Sequence, residues 1–150
     1  MAKRGAQVST FKRLVLEANI LLRGVFGRRA RDLLGSYQEF IGFYTPEVCV
    51  EEALRYVPAI ALRRRLDPVE SEANLNQLLQ LCVNIVERSL YEEFEERARA
   101  RISSRDADDW PVVATALLID APIWTEDQDF FGSGIATWTS NRIELYLRAE

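Results

Sequence analysis

The sequence predicts an α/β protein, a three-layer α/β/α sandwich with a mostly parallel central sheet. Strand-like and helix-like segments alternate along the 150 residues, which is typical of parallel sheets covered by helices on both faces. The first strand-like segment, residues 12–17, has a continuous apolar centre, as expected for a strand buried on both faces. No repeat or linker divides the chain. We therefore expect one domain over residues 12–150, after a basic lead-in, residues 1–11, that is a candidate for disorder.

The first half of the chain continues with two short helices and a second strand. Helix-like residues 19–27 and 30–34 are each terminated by a glycine, a residue that commonly ends helices. Residues 38–45 are rich in aromatic and branched side chains, which indicates a second strand.

Proline indicates the starts of the next two helices. Thr45 is a candidate N-cap, and the proline after it lies in the first helical position, where proline is tolerated. This helix should run to about residue 66, with a bend at Pro58. Asp67 followed by proline repeats the signal for a helix that ends at about residue 81.

The second half repeats the alternation of strands and helices. The predicted elements are a strand at 82–86, a strongly charged helix at 89–102, a helix from 110 to about 120, short strands at 122–125 and 135–139, and a closing helix at 141–148. In open α/β sheets, ligands bind beyond the carboxyl ends of the strands. Polar residues at those ends are therefore the candidate functional residues.

The lack of histidine excludes several kinds of chemistry. The chain has no histidine, 19 Lys plus Arg and 23 Asp plus Glu, which gives a net charge of −4. Ser-His-Asp and Cys-His catalysis, an HExxH zinc site and haem held by histidine are all excluded. If the protein is an enzyme, carboxylates must carry the chemistry, and a hard metal ion is the expected partner.

The cysteines and the apolar segments indicate a cytoplasmic protein that does not cross a membrane. Cys49 and Cys82 lie in separate apolar runs and form no CxxC pair, so we interpret both as buried thiols in a reducing cytosol. Residues 14–26 are apolar but are interrupted by three polar or charged residues. Such a segment makes a poor signal-peptide core and is too broken to span a membrane.

Four groups of acids fall near the predicted carboxyl edge of the sheet. They are Glu17 at the end of the first strand, Glu51 and Glu52 in the helix after the second strand, Asp106, Asp108 and Asp109 before the helix at 110, and Glu126, Asp127 and Asp129 after the strand at 122–125. Parallel topology would bring these acids together, and they would repel one another unless a cation neutralised them. Carboxylate oxygens suit Mg²⁺ or Mn²⁺ better than zinc.

Most of these acids also have a structural explanation. Asp109 could be only an N-cap. The acids that follow residue 125 could be only turn residues, and the two glutamates of the third predicted helix could lie on a solvated face. Glu17 is harder to explain in this way, because apolar residues flank it on both sides. A partly buried carboxylate needs a partner, and Asn19 is the nearest candidate.

Four motifs, in order, resemble those of PIN domains. PIN domains are the nuclease fold found in the toxin half of many bacterial toxin–antitoxin pairs, such as VapC-type toxin ribonucleases. The matching segments are residues 14–22 (LVLEANILL), 45–54 (TPEVCVEEAL), 105–116 (RDADDWPVVATA) and 123–130 (IWTEDQDF). The third has an acid five residues before an Ala-Thr-Ala segment, and the fourth resembles a closing T-x-D-x-D-F element. Together these two are fairly specific.

The resemblance implies a metal-dependent endoribonuclease that uses Mg²⁺ or Mn²⁺ to hydrolyse phosphodiester bonds of single-stranded or structured RNA. It also implies that the protein is the toxin of a toxin–antitoxin pair, that it binds a cognate antitoxin and that it forms a homodimer. The implied catalytic acids are Glu17, Glu52, Asp109 and Asp127, the implied metal ligands are Glu17, Asp109, Asp127 and Asp129, and the supporting residues are Asn19, Glu51 as the fallback for Glu52, Asp106 and Thr125.

One departure from the family pattern leaves a second function open. PIN domains usually carry aspartate where this chain has Glu17. The extra methylene moves the carboxylate by about one C–C bond, and Mg²⁺ demands near-ideal octahedral geometry. The alternative is a catalytically weak or inactive PIN-like module that binds RNA or protein. A nucleotide-handling enzyme is disfavoured, because no GxGxxG or Walker-type loop follows the first strand.

Clustered arginines agree with an RNA substrate despite the net charge of −4. Arginine suits bidentate phosphate contacts. The alternative is that these arginines are surface charges paired with the Glu-rich residues 92–96. The candidate RNA-binding residues are Arg23, Arg28, Arg29 and Arg105, and further arginines cluster at 31, 63–65 and 97–101.

The tryptophans and one leucine-rich segment each have two interpretations. The tryptophans could stack bases, but packing with a satisfied indole N–H explains them better. The leucines could form a partner interface, but core packing is the simpler explanation. The residues concerned are Trp110, Trp124 and Trp138, and Leu75, Leu78, Leu79 and Leu81.

Overall fold

The computed structural model describes residues 12–102, 107–127 and 130–149. The predicted basic lead-in, residues 1–11, lies outside the described residues. The strands are β1 (Lys12–Leu16), β2 (Ile41–Pro46), β3 (Val83–Val86), β4 (Ile123–Trp124) and β5 (Thr137–Trp138). They form one sheet with the order β3-β2-β1-β4-β5, in which neighbouring strands are parallel.

Helices flank this sheet, and the predicted α/β sandwich with a parallel sheet is confirmed. The helices are α1 (Ala18–Phe26), α2 (Arg28–Tyr37), α3 (Glu47–Arg63), α4 (Pro68–Cys82), α5 (Arg88–Tyr91), α6 (Glu95–Ile102), α7 (Trp110–Ile119) and α8 (Ile143–Arg148), with 3₁₀ turns at Glu92–Phe94 and Ala107–Asp109.

The centre of the sheet is apolar on both faces, which explains why polar and apolar residues do not alternate along β1. β1 lies between β2 and β4, with Leu14 opposite Phe43 and Leu16 opposite Trp124. Leu14, Val15 and Leu16 are all fully buried, as the continuous apolar run predicts. Because the strands run in one direction, the carboxyl ends of β1, β2 and β4 meet at the same edge of the sheet. We call it the carboxyl edge.

The junction between β2 and α3 differs from the prediction. Thr45 does not cap α3 but belongs to β2, where it is fully buried. Its Oγ1 donates a hydrogen bond to the backbone carbonyl of Leu16 at 2.7 Å. Pro46 holds the N-cap position instead, with an extended backbone (φ −69°, ψ 147°). The Thr45 hydroxyl therefore ties β1 to β2 at the carboxyl edge, and β2 begins at Ile41 rather than at residue 38.

The ends of α3 and α4 follow the predicted signals with small shifts. Helix α3 contains Pro58 and ends at Arg63, earlier than predicted. Arg65, shortly after it, has a left-handed backbone (φ 59°), which α-helical geometry does not allow. Asp67 is the N-cap of α4 as predicted, because its Oδ1 accepts a hydrogen bond from the N–H of Val69 at 2.9 Å.

The predicted helix over residues 89–102 is interrupted by a 3₁₀ turn between α5 and α6. A 3₁₀ turn has about three residues per turn and so shifts the phase of the helix. On one side of this turn Tyr91 packs edge-on against Trp110, with ring centroids 5.6 Å apart. On the other side, Ala98 and Ile102 are buried in the core. Tertiary packing of these residues thus overrides the continuous helical pattern.

The last strands and the closing helix are shorter than predicted, whereas α2 (Arg28–Tyr37) is longer than the predicted residues 30–34. Strands β4 and β5 pair over two residues each, and α8 begins at Ile143 rather than at residue 141. Along the described parts of the chain, no helix combines the length and the apolar character needed to cross a membrane.

The tryptophans serve packing. Trp124 is fully buried, and its Nε1 donates a hydrogen bond to Ser140 Oγ at 3.0 Å. Trp110 is buried, and Trp138 is half-buried with its ring centroid 5.7 Å from that of Tyr146.

The predicted burial of the cysteines and leucines is correct in part. Cys49 is buried, but Cys82 at the end of α4 is only half-buried, and both are free thiols. Core packing explains Leu75, Leu78 and Leu79, whereas Leu81 is 62% exposed.

Candidate active site

Glu17 is the first residue after β1 and occupies the N-cap position of α1. Its backbone carbonyl accepts hydrogen bonds from the N–H groups of Ile20 (3.0 Å) and Leu21 (3.3 Å), which fix it at the start of the helix. The side chain is only 7% exposed, and its Oε1 is buried with no hydrogen-bond partner among the described residues. A buried carboxylate held in this way lacks the stabilisation that water or a full set of hydrogen bonds would give.

Burial raises the pKa of the Glu17 carboxyl to about 8. The negative charges of Asp127, Asp109 and Glu52 add to this effect in that order, and a hydrogen bond from Thr125 opposes it. Such charge effects on a pKa act at short range. The structure therefore brings four of the predicted acids together at the carboxyl edge. We call Glu17, Glu52, Asp109 and Asp127 the acidic group.

Asp109 ends the 3₁₀ turn before α7 and is half-buried, with its Oδ2 shielded from water. It occupies the N-cap position of α7 (φ −84°, ψ 1°), but within the described chain its side chain makes no capping hydrogen bond. The alternative that Asp109 is only an N-cap is therefore wrong. Residues 110–116 of α7 are all buried, so a helix packed in the core carries this carboxylate.

Thr125 holds two members of the acidic group. It is fully buried directly after β4, and its backbone N–H donates to the carbonyl of Trp138 at 3.0 Å. Its Oγ1 accepts a hydrogen bond from the N–H of Asp127 at 2.8 Å, and its side chain also hydrogen-bonds Glu17. The single hydroxyl therefore fixes the turn that carries Asp127 and orients Glu17; the supporting role of Thr125 at the site stays a prediction.

We expect Thr125→Val to destabilise the protein by about 1–2 kcal/mol, because it leaves buried polar groups without a hydrogen-bond partner. Thr115→Val is the matched control. Thr115 is also fully buried, and among the described residues its Oγ1 donates to the carbonyl of Pro111 in its own helix, at 2.8 Å. Urea unfolding of both variants measures the difference, and equal losses of unfolding free energy would contradict the anchoring role of Thr125.

Glu52 belongs to the acidic group, whereas the charge of Glu51, the fallback for Glu52, acts on a different residue. Both are exposed on α3, but the charge of Glu52 acts on Glu17 and that of Glu51 acts on Tyr91. Asn19, the predicted hydrogen-bond partner of Glu17, is exposed on α1. Thr125 provides that hydrogen bond instead, so the prediction for Asn19 is wrong.

The other candidate acids do not extend the acidic group within the described chain. Asp106 and Asp129 lie outside the described residues, and Asp108 is exposed. Glu126 Oε2 accepts a hydrogen bond from the N–H of Ser140 at 2.5 Å. This bond joins the segment after β4 to the segment after β5, which is a structural role.

The chemistry of the acidic group fits a divalent cation. Among the described residues, no group of three or more acidic or thiol side chains is arranged to hold a metal ion as it stands. The donor atoms are carboxylate oxygens, which Mg²⁺ and Mn²⁺ prefer. Glu17 Oε1 is buried with no hydrogen-bond partner in the described chain. A cation there would also offset the charges of Asp127 and Asp109, which raise the pKa of Glu17.

The arginines predicted to contact RNA fall into different environments. Arg29 Nη2 lies 3.1 Å from Glu144 Oε1 and donates to the carbonyl of Ser140 at 3.1 Å, so it is held by the protein itself. Arg99 fits the alternative interpretation, in which the arginines pair with the Glu-rich residues 92–96. Its Nε lies 2.7 Å from Glu95 Oε2. Of the remaining candidates, Arg23 and Arg28 are exposed, and Arg105 lies outside the described residues.

Two residues beside the acidic group have roles that sequence reasoning missed. Burial raises the pKa of the Cys49 thiol above its usual range, and the charges of Glu17 and Glu52 raise it further. Cys49 is therefore an uncharged neighbour of the site, and its position three residues before Glu52 on α3 could have indicated this. Thr45 ties β2 to Leu16, a partner 29 residues away, and no local pattern shows that contact.

The fold and the acidic group define a class of protein: an α/β sandwich that gathers carboxylates at the carboxyl edge of a parallel sheet. The family model of the PIN domain matches residues 15–148. The chain belongs to the PIN domain family.

Solved structures share this fold at low sequence identity. The chain is similar to VapBC2 from Rickettsia felis bound to a DNA fragment from their promoter, with a TM-score of 0.65, 11% identity, and coverage of 85% of this chain and 98% of that chain. It is also similar to PAE2754 from Pyrobaculum aerophilum, with a TM-score of 0.65, 17% identity, and coverage of 93% of this chain and 91% of that chain. A toxin–antitoxin complex from Klebsiella pneumoniae gives a TM-score of 0.61 at 18% identity, with 85% and 97% covered. Among curated proteins, none matches the sequence significantly.

Proposed function

We propose that this PIN domain is a metal-dependent endoribonuclease that uses Mg²⁺ or Mn²⁺ to hydrolyse phosphodiester bonds of single-stranded or structured RNA. The observation that supports this function best is the state of Glu17. Its carboxyl is buried at the carboxyl edge, and burial and three nearby acids raise its pKa to about 8. Strongly shifted pKa values of this kind cluster at functional sites, because the arrangement is unfavourable for stability alone.

Glu17, Asp109 and Asp127 would hold the metal ion, with Glu52 beside them and Asp129 as a further proposed ligand. When bound, the ion activates water as a nucleophile at neutral pH and stabilises the negative charge that develops on the phosphate. Carboxylate ligands must be ionised, so metal binding is coupled to loss of the Glu17 proton.

The contribution of the protein itself is to hold the carboxylates in place. Thr125 hydrogen-bonds both Glu17 and the backbone of Asp127, so one anchor fixes two acids. Thr45 joins the strands at this edge by bonding the carbonyl of Leu16, the residue before Glu17. Burial of Glu17 excludes water and lowers the local dielectric constant, which strengthens its interaction with any cation.

We expect Mn²⁺ to raise the Tm of the protein at about pH 8. A ligand bound only by the folded state adds about 2.7 kcal/mol at 100 times its Kd, or roughly 5–10 °C for a chain of this size. Differential scanning fluorimetry across a Mn²⁺ titration measures the shift. Asp127→Asn should lose most of the shift and Asp108→Asn should keep it. A wild-type Tm that does not respond to Mn²⁺ would contradict metal binding at the acidic group.

The second candidate function is a PIN-like module that binds RNA or protein without catalysis. One observation favours it. Glu17 stands where PIN domains usually have aspartate, and the extra methylene moves the carboxylate of a proposed metal ligand. This candidate predicts that the wild type binds single-stranded RNA but does not cleave it in the presence of Mn²⁺, whereas the nuclease proposal requires cleavage.

We further propose that the protein is the toxin of a toxin–antitoxin pair and forms a homodimer. Membership of the PIN family and the fold shared with the Klebsiella pneumoniae toxin–antitoxin complex support the toxin–antitoxin assignment. Co-expression with the product of the neighbouring gene tests the partnership by co-purification. Size-exclusion chromatography with light scattering tests the dimer.

A further inference from the structure

We propose that a basic pocket between α1 and α3 binds the RNA phosphates that lie next to the scissile bond. The pocket has a volume of about 390 Å³ and is lined by Asn19, Arg23 and Phe26 of α1 together with Ile60 and Arg64 at the end of α3. We call it the arginine pocket. This inference rests on the proposed ribonuclease function and adds the path of the substrate strand.

The arginine pocket and the acidic group lie along the same pair of helices. Glu17 precedes α1 and Glu52 lies near the start of α3, and their charges interact. At the other end of both helices, Arg64 Nη1 donates to the carbonyl of Phe26 at 3.3 Å. The two helices therefore run in the same direction, away from the acids and towards the pocket. At 1.5 Å per residue, Arg23 lies about 9 Å along α1 from Glu17.

The pocket holds two positive charges that the described part of the chain does not neutralise. The ion pairs found among the described residues include those of Arg29, Arg88 and Arg99. Neither Arg23 nor Arg64 takes part in an ion pair within that part of the chain. Arg64 is instead held by the carbonyl of Phe26 and lies over its ring, 5.7 Å from the centroid. A concave surface with two such guanidinium groups attracts anions, and guanidinium groups match phosphate geometry.

A nucleic acid strand fits this surface better than an isolated anion. Asn19 lines the pocket and lies in the first turn of α1, two residues after Glu17 in the sequence. Tyr56, which is 49% exposed, and Ile60 lie on one i, i+4 row of α3, and Arg64 directly follows the end of this helix. Basic grooves that follow the backbone, combined with aromatic rings on which bases stack, are typical of single-strand binding. The neighbouring phosphates would thus contact the two arginines, and a base would stack near Tyr56.

The test compares Arg23→Ala/Arg64→Ala with the matched control Arg55→Ala/Arg148→Ala. Both double variants remove two exposed arginines, and the control pair lies outside the pocket. Fluorescence anisotropy measures the affinity for a short, fluorescein-labelled single-stranded oligoribonucleotide of mixed sequence, in EDTA so that metal-dependent cleavage does not take place. We expect the pocket variant to bind about tenfold or more weakly. Its slope of log K against log salt should be shallower by about 1.4, or roughly 0.7 for each lost phosphate contact. The control should keep both the affinity and the slope.

Kinetics with Mn²⁺ give a second readout. The pocket holds phosphates that do not react, so the pocket variant should raise KM and leave kcat close to that of the wild type. The single variant Arg23→Glu leaves the contact between Arg64 and Phe26 in place, and it should also weaken binding. It keeps the inference testable if the double variant loses its circular dichroism signal.

The outcomes separate this inference from the proposed function. Equal RNA affinity and salt slope in the pocket and control variants overturn the arginine pocket, and cleavage by the wild type would still support the nuclease. Weaker binding by the pocket variant, with no cleavage by the wild type, supports the pocket and overturns the nuclease. Competition by a poly-glutamate peptide as strong as that by unlabelled RNA overturns the RNA assignment and makes the pocket a site for an acidic protein.

Discussion

Replacing Asp109 with asparagine should lower kcat/KM for Mn²⁺-dependent RNA cleavage by at least about 100-fold. Mutation of the outer partners of metal ligands commonly costs roughly 10–100-fold, and Asp109 is itself a proposed ligand. The substitution preserves the size of the side chain but removes its negative charge. Initial rates with a fluorogenic single-stranded RNA and Mn²⁺ measure the loss.

Asp108→Asn is the matched control for this prediction. Asp108 belongs to the same 3₁₀ turn as Asp109 but is exposed, so its variant should cleave RNA at close to the wild-type rate. Circular dichroism and the Tm of Asp109→Asn test whether the variant is folded, so that a loss of activity in a folded variant is assigned to the acidic group. Undiminished cleavage by Asp109→Asn would remove the nuclease assignment from the acidic group.

The sequence predicts the acidic group well because strand ends and helix starts carry local signals. The apolar run of β1 shows where the strand ends, and Glu17 follows it directly. Asp109 comes directly before the proline-containing start of α7, and Asp127 follows β4. Parallel topology then brings these ends to one edge without any knowledge of the individual contacts. The class of the fold follows from the alternation of strands and helices, whereas the order of the strands does not follow from it.

The contacts that hold the site could not be predicted, because they join residues far apart in the chain. Thr45 is read locally as an N-cap, but it bonds the carbonyl of Leu16 in the neighbouring strand. Asn19 is the nearest polar residue to Glu17 in sequence, yet Thr125 provides the hydrogen bond. The break in the charged helix after Tyr91 depends on its packing against Trp110. In each case tertiary contacts override a valid local signal.

Metal-free Glu17→Gln should be more stable than the wild type at alkaline pH and equally stable at about pH 4. The pKa of Glu17 is about 8 in the folded protein, against 4.5 for an unperturbed side chain. Below the lower value, both the folded and the unfolded states carry a proton. As the pH rises, the unfolded state ionises first, so the folded state loses relative stability until the pH passes the upper value. The loss is about 3 kcal/mol at pH 7, or roughly 5–10 °C in Tm.

Glutamine does not ionise, so the variant escapes this loss, and urea unfolding in EDTA at about pH 4 and pH 8 measures the difference. Glu51→Gln is the matched control, since Glu51 is exposed on α3 and its charge acts on Tyr91; its stability should follow that of the wild type at both pH values. Mn²⁺ should then reverse the order at pH 8, because a cation stabilises the ionised Glu17 of the wild type and finds no carboxylate at that position in the variant. Parallel pH dependences of wild type and Glu17→Gln would show that Glu17 is solvated like an ordinary glutamate. That result would contradict the conclusion that Glu17 is buried among negative charges at the carboxyl edge.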